Sequence, residues 1–346
     1  MNNQDINTLC STGLFENQRL HGTLEETHIS WVILSKKRAF KVKKPVKPSF
    51  LDFSTLLKRK KYCETELHLN RRFSDIYLAV LPIRHHKDVW LIGEGTGKIV
   101  EYTVLMKRMM PSKRMDKLLK SGKVSKASIL ALAKQIAGFH AHATIISTAF
   151  DLDDSRNTFN DIESIGTFVR DNLGVEFENI IPLAIQWSDR FLAANKSLFE
   201  QRMRLGFKRD LHGDLHSGNI FLYKKPVIFD CIEFNDDFRQ IDTASEIAFL
   251  CMDLEAFGYQ QLSDILIAEY LDHFPCIQTP TDQKLFAYYK CMRANIRAKV
   301  HAISAGQVDD GDVRDLHLAS LQVYLRLIKT YTSISMDLDA LRNVNL

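Results

Sequence analysis

The hydrophobic pattern of this 346-residue chain changes once, near residue 110, and that change limits the folds that the chain can adopt. Between about 27 and 107 the apolar residues fall in short β-rich segments, with one helical pattern among them. From about 116 onward they recur at helical spacing. Strands followed by helices are typical of an α+β fold. We therefore predict two lobes, a small antiparallel sheet lobe at 1–108 and a larger, mainly helical lobe at 109–346.

Individual elements follow from the same patterns. Strand composition is found at 29–34, 39–42, 79–83, 90–92 and 99–106. Ser54 is the candidate N-cap of the one helix among these strands, and the clearest later helix is at 125–142. Further helices are predicted at 161–173, 181–204, 242–257, 260–273, 282–305 and 311–332.

Composition excludes several classes of protein. The 46 basic and 42 acidic residues leave a net charge of +4, and the basic runs 36–38, 41–44 and 58–61 lack the interleaved aromatic residues of a nucleic-acid binder. We interpret these runs as solvated faces, with an anionic ligand such as a nucleotide as the alternative. The six cysteines form no C-x-x-C pair, which disfavours a zinc site or a disulfide framework. Neither a signal-peptide pattern nor an apolar run of about 18 residues is present, so we expect a cytoplasmic protein that does not span a membrane.

One polar segment contains the candidate catalytic and metal-binding residues. The sequence His-Gly-Asp-Leu-His-Ser-Gly-Asn-Ile at 212–220 is followed by the apolar stretch 227–229 and then by Asp230. Phosphoryl transfer needs a base for the acceptor hydroxyl and oxygen ligands for Mg²⁺. Asp214 can serve as the base, Asn219 can return across a tight loop to the metal, and Asp230 is held by a predicted strand. The spacing therefore favours a kinase with Asn219 and Asp230 as magnesium ligands.

This run, with an aspartate eleven residues after the asparagine, resembles the aminoglycoside phosphotransferase and choline kinase branch of the protein-kinase-like fold. Gly213 stands where protein kinases have arginine, and Cys231 follows the metal aspartate where they have phenylalanine. Both departures favour the small-molecule branch, and the wider pattern is similar to bacterial proteins described only as aminoglycoside-phosphotransferase-like. The resemblance implies a bilobal fold and transfer of the γ-phosphate of ATP to a hydroxyl of a sugar, amino sugar, aminoglycoside or amino alcohol.

The resemblance also implies further site residues. The tripeptide Ala-Phe-Lys that ends at Lys41 is similar to the Ala-x-Lys of the family's phosphate-binding strand, and Lys43, on the same strand face, is the alternative. Glu66 is the expected helix partner of that lysine. The stretch that ends at Met109 resembles the hinge whose backbone meets adenine. Asp242 is similar to the aspartate that braces the catalytic loop.

Two other functions stay open at this point. One is a protein kinase that phosphorylates itself or a partner, which the lack of an evident activation segment disfavours. The other is a nucleotide-binding regulator without catalysis.

The roles of three charged residues also stay open. Arg293 and Arg297 share a helix face and either bind an anionic substrate or pair with acidic neighbours, while Glu233 either meets the acceptor or lies on a surface loop. No motif specifies the acceptor, the choice between ATP and GTP, or the oligomeric state.

Overall fold

The computed structural model describes residues 1–48 and 51–343, with side chains described as far as residue 333. The strands of the described residues are β1 Leu14–Phe15, β2 Gln18–Arg19, β3 Thr23–Glu26, β4 Ser30–Leu34, β5 Arg38–Lys43, β6 Tyr77–His86, β7 Val89–Ile92, β8 Lys98–Lys107, β9 Lys208–Asp210, β10 Ile220–Phe221, β11 Val227–Ile228 and β12 Gln240–Asp242. The α-helices are α1 Asn3–Thr12, α2 Leu56–Asn70, α3 Met115–Lys120, α4 Lys126–His142, α5 Leu152–Asn160, α6 Gly166–Leu173, α7 Val175–Glu178, α8 Ile180–Arg204, α9 Asp236–Arg239, α10 Thr243–Ala256, α11 Gln260–His273, α12 Pro280–Gln307 and α13 Gly311–Asn343. The predicted α+β class is confirmed.

Contacts between residues divide the chain into two units. The first consists of Met1–Ser121 together with two later segments, His212–Asp214 and Gly218–Arg239. The second consists of Gly122–Leu211, Leu215–Ser217 and Gln240–Leu346. The first unit therefore contains most of the motif region as well as the sheet. The lobe boundary after residue 108 stays a prediction.

The first unit is built on an eight-stranded sheet with the order β2-β1-β7-β6-β8-β5-β4-β3. All five predicted strands are present in it as β4 to β8. These five strands pair antiparallel with one another, as predicted, and the sheet also contains one parallel pairing, between β7 and the unpredicted β1. The helix α1 and the strands β1 to β3 were not predicted, since they are short and carry many polar residues.

Strand β5 separates two hydrophobic layers. Phe40 and Val42 lie in the core on one face of the sheet, and α1 contributes Ile6 and Leu9 to that core. The opposite face of β5 carries Ala39, which packs with the α2 residue Cys63, and the two lysines at 41 and 43. This strict alternation of a half-buried strand places both lysines on the helix side of the sheet.

Helix α2 begins one residue later than the sequence suggests. Its N-cap is Thr55, whose hydroxyl accepts a hydrogen bond from the Lys58 amide at 3.3 Å, whereas Ser54 hydrogen-bonds to Asp52. Ser54 as the N-cap is therefore wrong. Adjacent residues of the same capping type cannot be separated by spacing alone.

The second unit is mainly helical. Helix α4 starts after the N-cap Ser125, and α8, α10, α11, α12 and α13 lie where helices were predicted. Its aromatic core includes a parallel stack of Phe191 on Tyr288 with ring centroids 4.6 Å apart. The segment predicted as one helix at 161–173 is a 3₁₀ turn, Asp161–Ile165, followed by α6. Helix α5 was missed because Phe159 is its one fully buried side chain.

Candidate active site

The structure brings Lys41 and Glu66 together within the first unit. Lys41 lies on the helix side of β5, and Glu66 lies on the buried side of α2. The Lys41 Nζ atom is 2.8 Å from Glu66 Oε1. Glu64, two residues away on the same helix, is exposed and faces Lys60 instead. Helical geometry thus selects Glu66 as the residue that meets the strand lysine.

Lys43 contacts the same carboxylate. Its Nζ atom is 2.7 Å from Glu66 Oε2, so one glutamate is shared by the two lysines that the sequence could not separate. The Lys43 side chain is 1% exposed and the Lys41 side chain 13% exposed. The interpretation of run 41–44 as a solvated face is therefore wrong for these two lysines, because each is buried against carboxylates.

Glu233 belongs to the same charged cluster, which neither of the two sequence-based interpretations of this residue had placed it in. Its side chain is 4% exposed, and its Oε1 atom accepts a short hydrogen bond from Lys43 Nζ. Glu233 is thus neither on a surface loop nor directed at an acceptor. A buried lysine requires a buried anionic partner. The two residues are 190 positions apart, so no local sequence pattern shows this requirement.

Asp230 contacts Lys41 although the two residues are 189 positions apart in the sequence. Its Oδ1 atom is 2.5 Å from Lys41 Nζ, and its side chain is still 43% exposed. Its backbone has φ +65°, a left-handed conformation that aspartate tolerates better than most residues. The Asp230 amide donates to the Tyr77 hydroxyl at 3.0 Å, and the next amide, that of Cys231, donates to Asn70 Oδ1 at 2.9 Å. These bonds to β6 and α2 fix the backbone that carries the carboxylate.

His212 orients the loop that carries Asp214. Its Nε2 atom lies 2.9 Å from the Phe229 carbonyl oxygen, which can only accept, so Nε2 carries the proton. Nδ1 then accepts the Asp214 amide at 3.3 Å, in agreement with that tautomer. The ring is buried and lies edge-on to Phe73. His212 is therefore a structural residue that orients the loop.

Gly213 is required by the shape of the same loop. Its φ is +86°, and a Cβ atom at this position would lie 2.7 Å from the Phe238 carbonyl oxygen. Any side chain would have to displace that backbone. The glycine that distinguishes this chain from protein kinases thus has a local steric cause.

Asn219 fixes the Asp214 carboxylate. Its Nδ2 atom is 3.0 Å from the Asp214 main-chain oxygen and 2.9 Å from Asp214 Oδ2. Since both partners are oxygens, the NH₂ group faces Asp214 and the amide oxygen points elsewhere. The Asn219 carbonyl also accepts the Phe229 amide at 3.1 Å, and β10 pairs antiparallel with β11. Asn219 and Asp230 therefore lie at the same end of this two-stranded ribbon.

The charged side chains of this cluster, together with burial, shift one another's pKa values. Burial by itself would raise the pKa of Glu66, but the charges of Lys41 and Lys43 outweigh burial and lower that pKa to about 2. Burial would lower the pKa of Lys41, yet Asp230 and Glu66 raise it well above its ordinary range. For Glu233 burial outweighs the attraction of Lys43, so its pKa is raised. The pKa of Lys43 is raised as well, because it faces two carboxylates, and on acidification Glu233 is protonated before Glu66.

Met109 follows the last strand of the sheet. Its side chain is partly buried against the α2-side core, to which Val104 and Phe229 also belong. Its amide and carbonyl form none of the hydrogen bonds found among the described residues. Met109 lies two residues after the end of β8, and its contact with a nucleotide stays a prediction.

Asp242 has a different role from the one that the resemblance implied. Its carboxylate pairs with Arg202 at 2.6 and 2.9 Å and caps α10 through the Ala244 amide. The loop amide of Ser217 instead donates to Asp253, eleven residues further along α10, at 2.8 Å. The prediction that Asp242 braces the catalytic loop is therefore wrong, because its carboxylate is paired with Arg202.

Arg293 and Arg297 lie in the second unit. The Arg293 guanidinium packs on the Phe249 ring and its Nε donates to the Ser245 carbonyl at 3.3 Å, while the Arg297 guanidinium lies over Tyr324. Among the described residues, no group of three or more His, Cys, Asp or Glu side chains is arranged to hold a metal ion, and no helix is long and apolar enough to cross a membrane.

Comparisons with known proteins give relatives and a fold. No protein-family model matches the chain. An uncharacterized protein of Mycobacterium tuberculosis is 31% identical over 301 residues, and one of Mycobacterium bovis has the same identity. The match covers 82% of this chain and 55% of each relative, so the chain spans about half the length of these curated relatives.

Two solved structures were compared with the chain. The GDP and kanamycin complex of the phosphotransferase APH(2″)-IIIa has a TM-score of 0.50 at 12% identity, with 90% of this chain and 93% of that chain covered. A choline/ethanolamine kinase family protein of Mesorhizobium loti has a TM-score of 0.49 at 12% identity, with 94% and 99% covered. The chain has a protein-kinase-like fold. Within that fold, β5 and α2 carry the ion pair of Lys41 and Glu66, and the hairpin of β10 and β11 carries Asn219 and Asp230.

Proposed function

We propose that this chain is a cytoplasmic, ATP- and Mg²⁺-dependent phosphotransferase of the aminoglycoside phosphotransferase and choline kinase-like family. In this proposal it transfers the γ-phosphate to a hydroxyl of a small molecule such as a sugar, amino sugar, aminoglycoside or amino alcohol. The supporting observation is that one compact unit holds Lys41 against Glu66 and Asp230 and also holds Asp214 against Asn219. Such a set supplies fixed positive charge, metal ligands and a base, which are the parts that phosphoryl transfer requires.

The nucleotide is assigned to the first unit. Lys41 is the residue proposed to contact the phosphates, because it is the less buried of the two lysines. Glu66 holds its ammonium group in place and keeps it charged. The backbone of Met109 is proposed to meet the adenine. Each of these groups lies on, or directly after, a strand or helix of the sheet, and such placement gives the precision that catalysis needs.

The oxygen donors fit magnesium. Mg²⁺ in kinases is bound by one or two side-chain oxygens, with phosphate oxygens and water completing an octahedron. The Asn219 amide oxygen is turned away from Asp214, and Asp230 uses only Oδ1 on Lys41, so two oxygens at one end of the ribbon remain available to a cation. Bound there, the metal would neutralise the charge that develops on the phosphates.

Asp214 is the proposed base. Asn219 donates to Asp214 Oδ2 and so sets the rotation of the carboxylate about its Cβ–Cγ bond. In the proposed reaction the acceptor hydroxyl loses its proton to Asp214, the acceptor oxygen bonds to the γ-phosphorus, and ADP leaves. The conformation of Gly213 argues against a protein kinase, since the arginine of that family has no room at this position.

A direct test measures ATP consumption across a panel of aminoglycosides, sugars and amino alcohols, with wild type and Asp214→Asn side by side. The variant should keep its affinity for Mg²⁺ and ATP and lose about two to four powers of ten in turnover, because only the base is removed. Turnover equal to wild type would refute the base role of Asp214. Transfer of labelled γ-phosphate to the protein itself, with no small-molecule product, would favour a protein kinase. ATP binding without turnover on any acceptor would favour a regulator.

A further inference from the structure

A second buried ion pair lies beside the Lys41 and Glu66 pair and has no part in the proposed reaction. Lys43 and Glu233 are both almost fully buried and join residues 190 positions apart. Lys43 also reaches Glu66 at 2.7 Å and lies 4.9 Å from the centre of the Phe53 ring. Burying two charges is unfavourable unless they are well paired. An arrangement with this cost needs an explanation beyond packing.

The charge balance of the cluster suggests what Lys43 does. Three carboxylates, those of Glu66, Asp230 and Glu233, face two ammonium groups, and Glu66 is shared between them. Without Lys43, Lys41 would be the only cation near three carboxylates, and it would be held by them more tightly. A phosphate would then have to displace Lys41 from all of its protein partners.

The position of Glu233 suggests a second contribution. Glu233 lies three residues after Asp230, and Lys43 lies two residues after Lys41 on the same strand face. The Lys43 and Glu233 contact therefore ties the segment 230–233 to β5 next to the point where Asp230 meets Lys41. A two-point attachment fixes the direction of this segment better than a single contact does.

We propose that Lys43 and Glu233 are a positioning pair: they satisfy Glu66 and hold the segment 230–233 against β5, so that Lys41 stays available for the phosphates and Asp230 for the metal. This inference rests on the proposed function, since it assumes that Lys41 and Asp230 act on a nucleotide and its metal. Neither Lys43 nor Glu233 touches the reacting groups in this scheme. Residues of this kind, which orient those that do, typically change metal affinity or activity by about 10- to 100-fold when replaced.

The test compares two matched double variants. Lys43→Met with Glu233→Met removes both charges together, and replacing a buried ion pair by apolar side chains usually preserves stability better than removing one partner. Arg59→Met with Glu101→Met is the control, because this pair is also buried, ties another element, α2, to the sheet, and has an Nε to Oε2 distance of 2.8 Å. Affinity for ATP with Mg²⁺ and thermal midpoint are measured for both variants, for wild type and for Lys41→Met. No acceptor is needed.

We expect the Lys43 and Glu233 double variant to bind ATP with Mg²⁺ about 10- to 100-fold more weakly than wild type at a similar thermal midpoint. The control should change the affinity less than about threefold, since the hydrogen bonds of Arg59 and Glu101 go to each other and to the main chain of Phe53 and Tyr102, and not to Lys41, Glu66 or Asp230. The single variant Lys43→Met leaves Glu233 buried without the cation that it hydrogen-bonds and should lose stability as well. A folded double variant that binds like wild type would overturn the positioning role. Wild type that fails to bind ATP with Mg²⁺, or binding that Lys41→Met leaves unchanged, would instead overturn the proposed function.

Discussion

The replacement Gly213→Ala tests whether the loop geometry around Asp214 is as tight as the structure indicates. Gly213 has φ +86°, which an alanine adopts at a cost of about 1–2 kcal/mol. The new Cβ would also lie 2.7 Å from the Phe238 carbonyl oxygen and 3.1 Å from Ile232 Cδ1. The side-chain atom can move, but the carbonyl belongs to backbone that Arg239 fixes through its bond to the Ile232 carbonyl at 3.0 Å. The backbone must therefore shift.

Forcing an extra carbon into packed structure costs about 1–3 kcal/mol. We therefore expect Gly213→Ala to destabilise the first unit by about 2–5 kcal/mol. Gly93→Ala is the matched control in the same unit, because Gly93 has φ +107° and no atom within 4 Å of its added Cβ. Gly93→Ala introduces the backbone strain without the overlap, so it should lower the free energy of unfolding by about 1–2 kcal/mol.

Urea unfolding followed by fluorescence measures both variants against wild type. The difference between the unfolding free energies of the two variants gives the cost of the overlap with Phe238, since the strain of a positive φ is common to both. Gly213→Ala should also lower turnover more than its stability loss predicts, because the displaced backbone precedes Asp214 directly. Equal unfolding midpoints for Gly213→Ala and Gly93→Ala would show that the loop yields to the new methyl group, and the steric explanation for the glycine would be wrong.

Two further predictions concern the charges of the site. The lowered pKa of Glu66, about 2 against an ordinary value near 4.5, means that its ionised form stabilises the fold by about 3 kcal/mol above pH 4.5, and that this contribution is lost as the pH falls toward 2. Glu66→Gln should therefore be less stable than wild type at pH 7, with a gap in urea midpoint that narrows steadily below pH 4.5; a gap that is independent of pH would contradict the ionised pair. Asp230→Ala should abolish the gain in ATP affinity that Mg²⁺ provides, because it removes one of the two proposed oxygen ligands. Titration of the variant with ATP in the presence and absence of Mg²⁺ checks this, and an undiminished magnesium effect would exclude Asp230 as a ligand.

The sequence was informative where a pattern is local. Period-two alternation placed Lys41 and Lys43 on one face of a strand, and the resemblance assigned Glu66 as the helix residue that meets the strand lysine. The same alternation could not choose between the lysines, since it gives them the same environment. Their difference comes from Glu233, which approaches from 190 residues away and buries Lys43 more deeply. Long-range charge pairing of this kind leaves no periodic signal in one sequence.

For two other residues the sequence showed which residue is present but not the structural reason for it. Gly213 is an obvious departure from the protein-kinase pattern, yet only its positive φ and the nearby Phe238 carbonyl explain it. Asp242 matched the family's bracing aspartate in position, but Arg202 on α8 occupies it, and the loop amide of Ser217 is bound by Asp253. A motif assigns a residue to a place in a fold, whereas the partner of that residue depends on elements distant in sequence.

The contacts of Asp230 explain why nucleotide and metal should bind together in the proposed reaction. Lys41 is held by Asp230 at 2.5 Å and by Glu66 at 2.8 Å, so a phosphate that arrived alone would have to draw Lys41 away from Asp230 and leave that carboxylate without its cation. Asp230 would hold a magnesium ion bound to the same phosphates, so its carboxylate would remain paired with a cation when Lys41 turned to the phosphate. Both charges would then keep a partner. Because the Asp230 backbone is fixed by the Tyr77 hydroxyl and its neighbour by Asn70, the carboxylate can change partner through its side chain alone, without moving the loop that carries it.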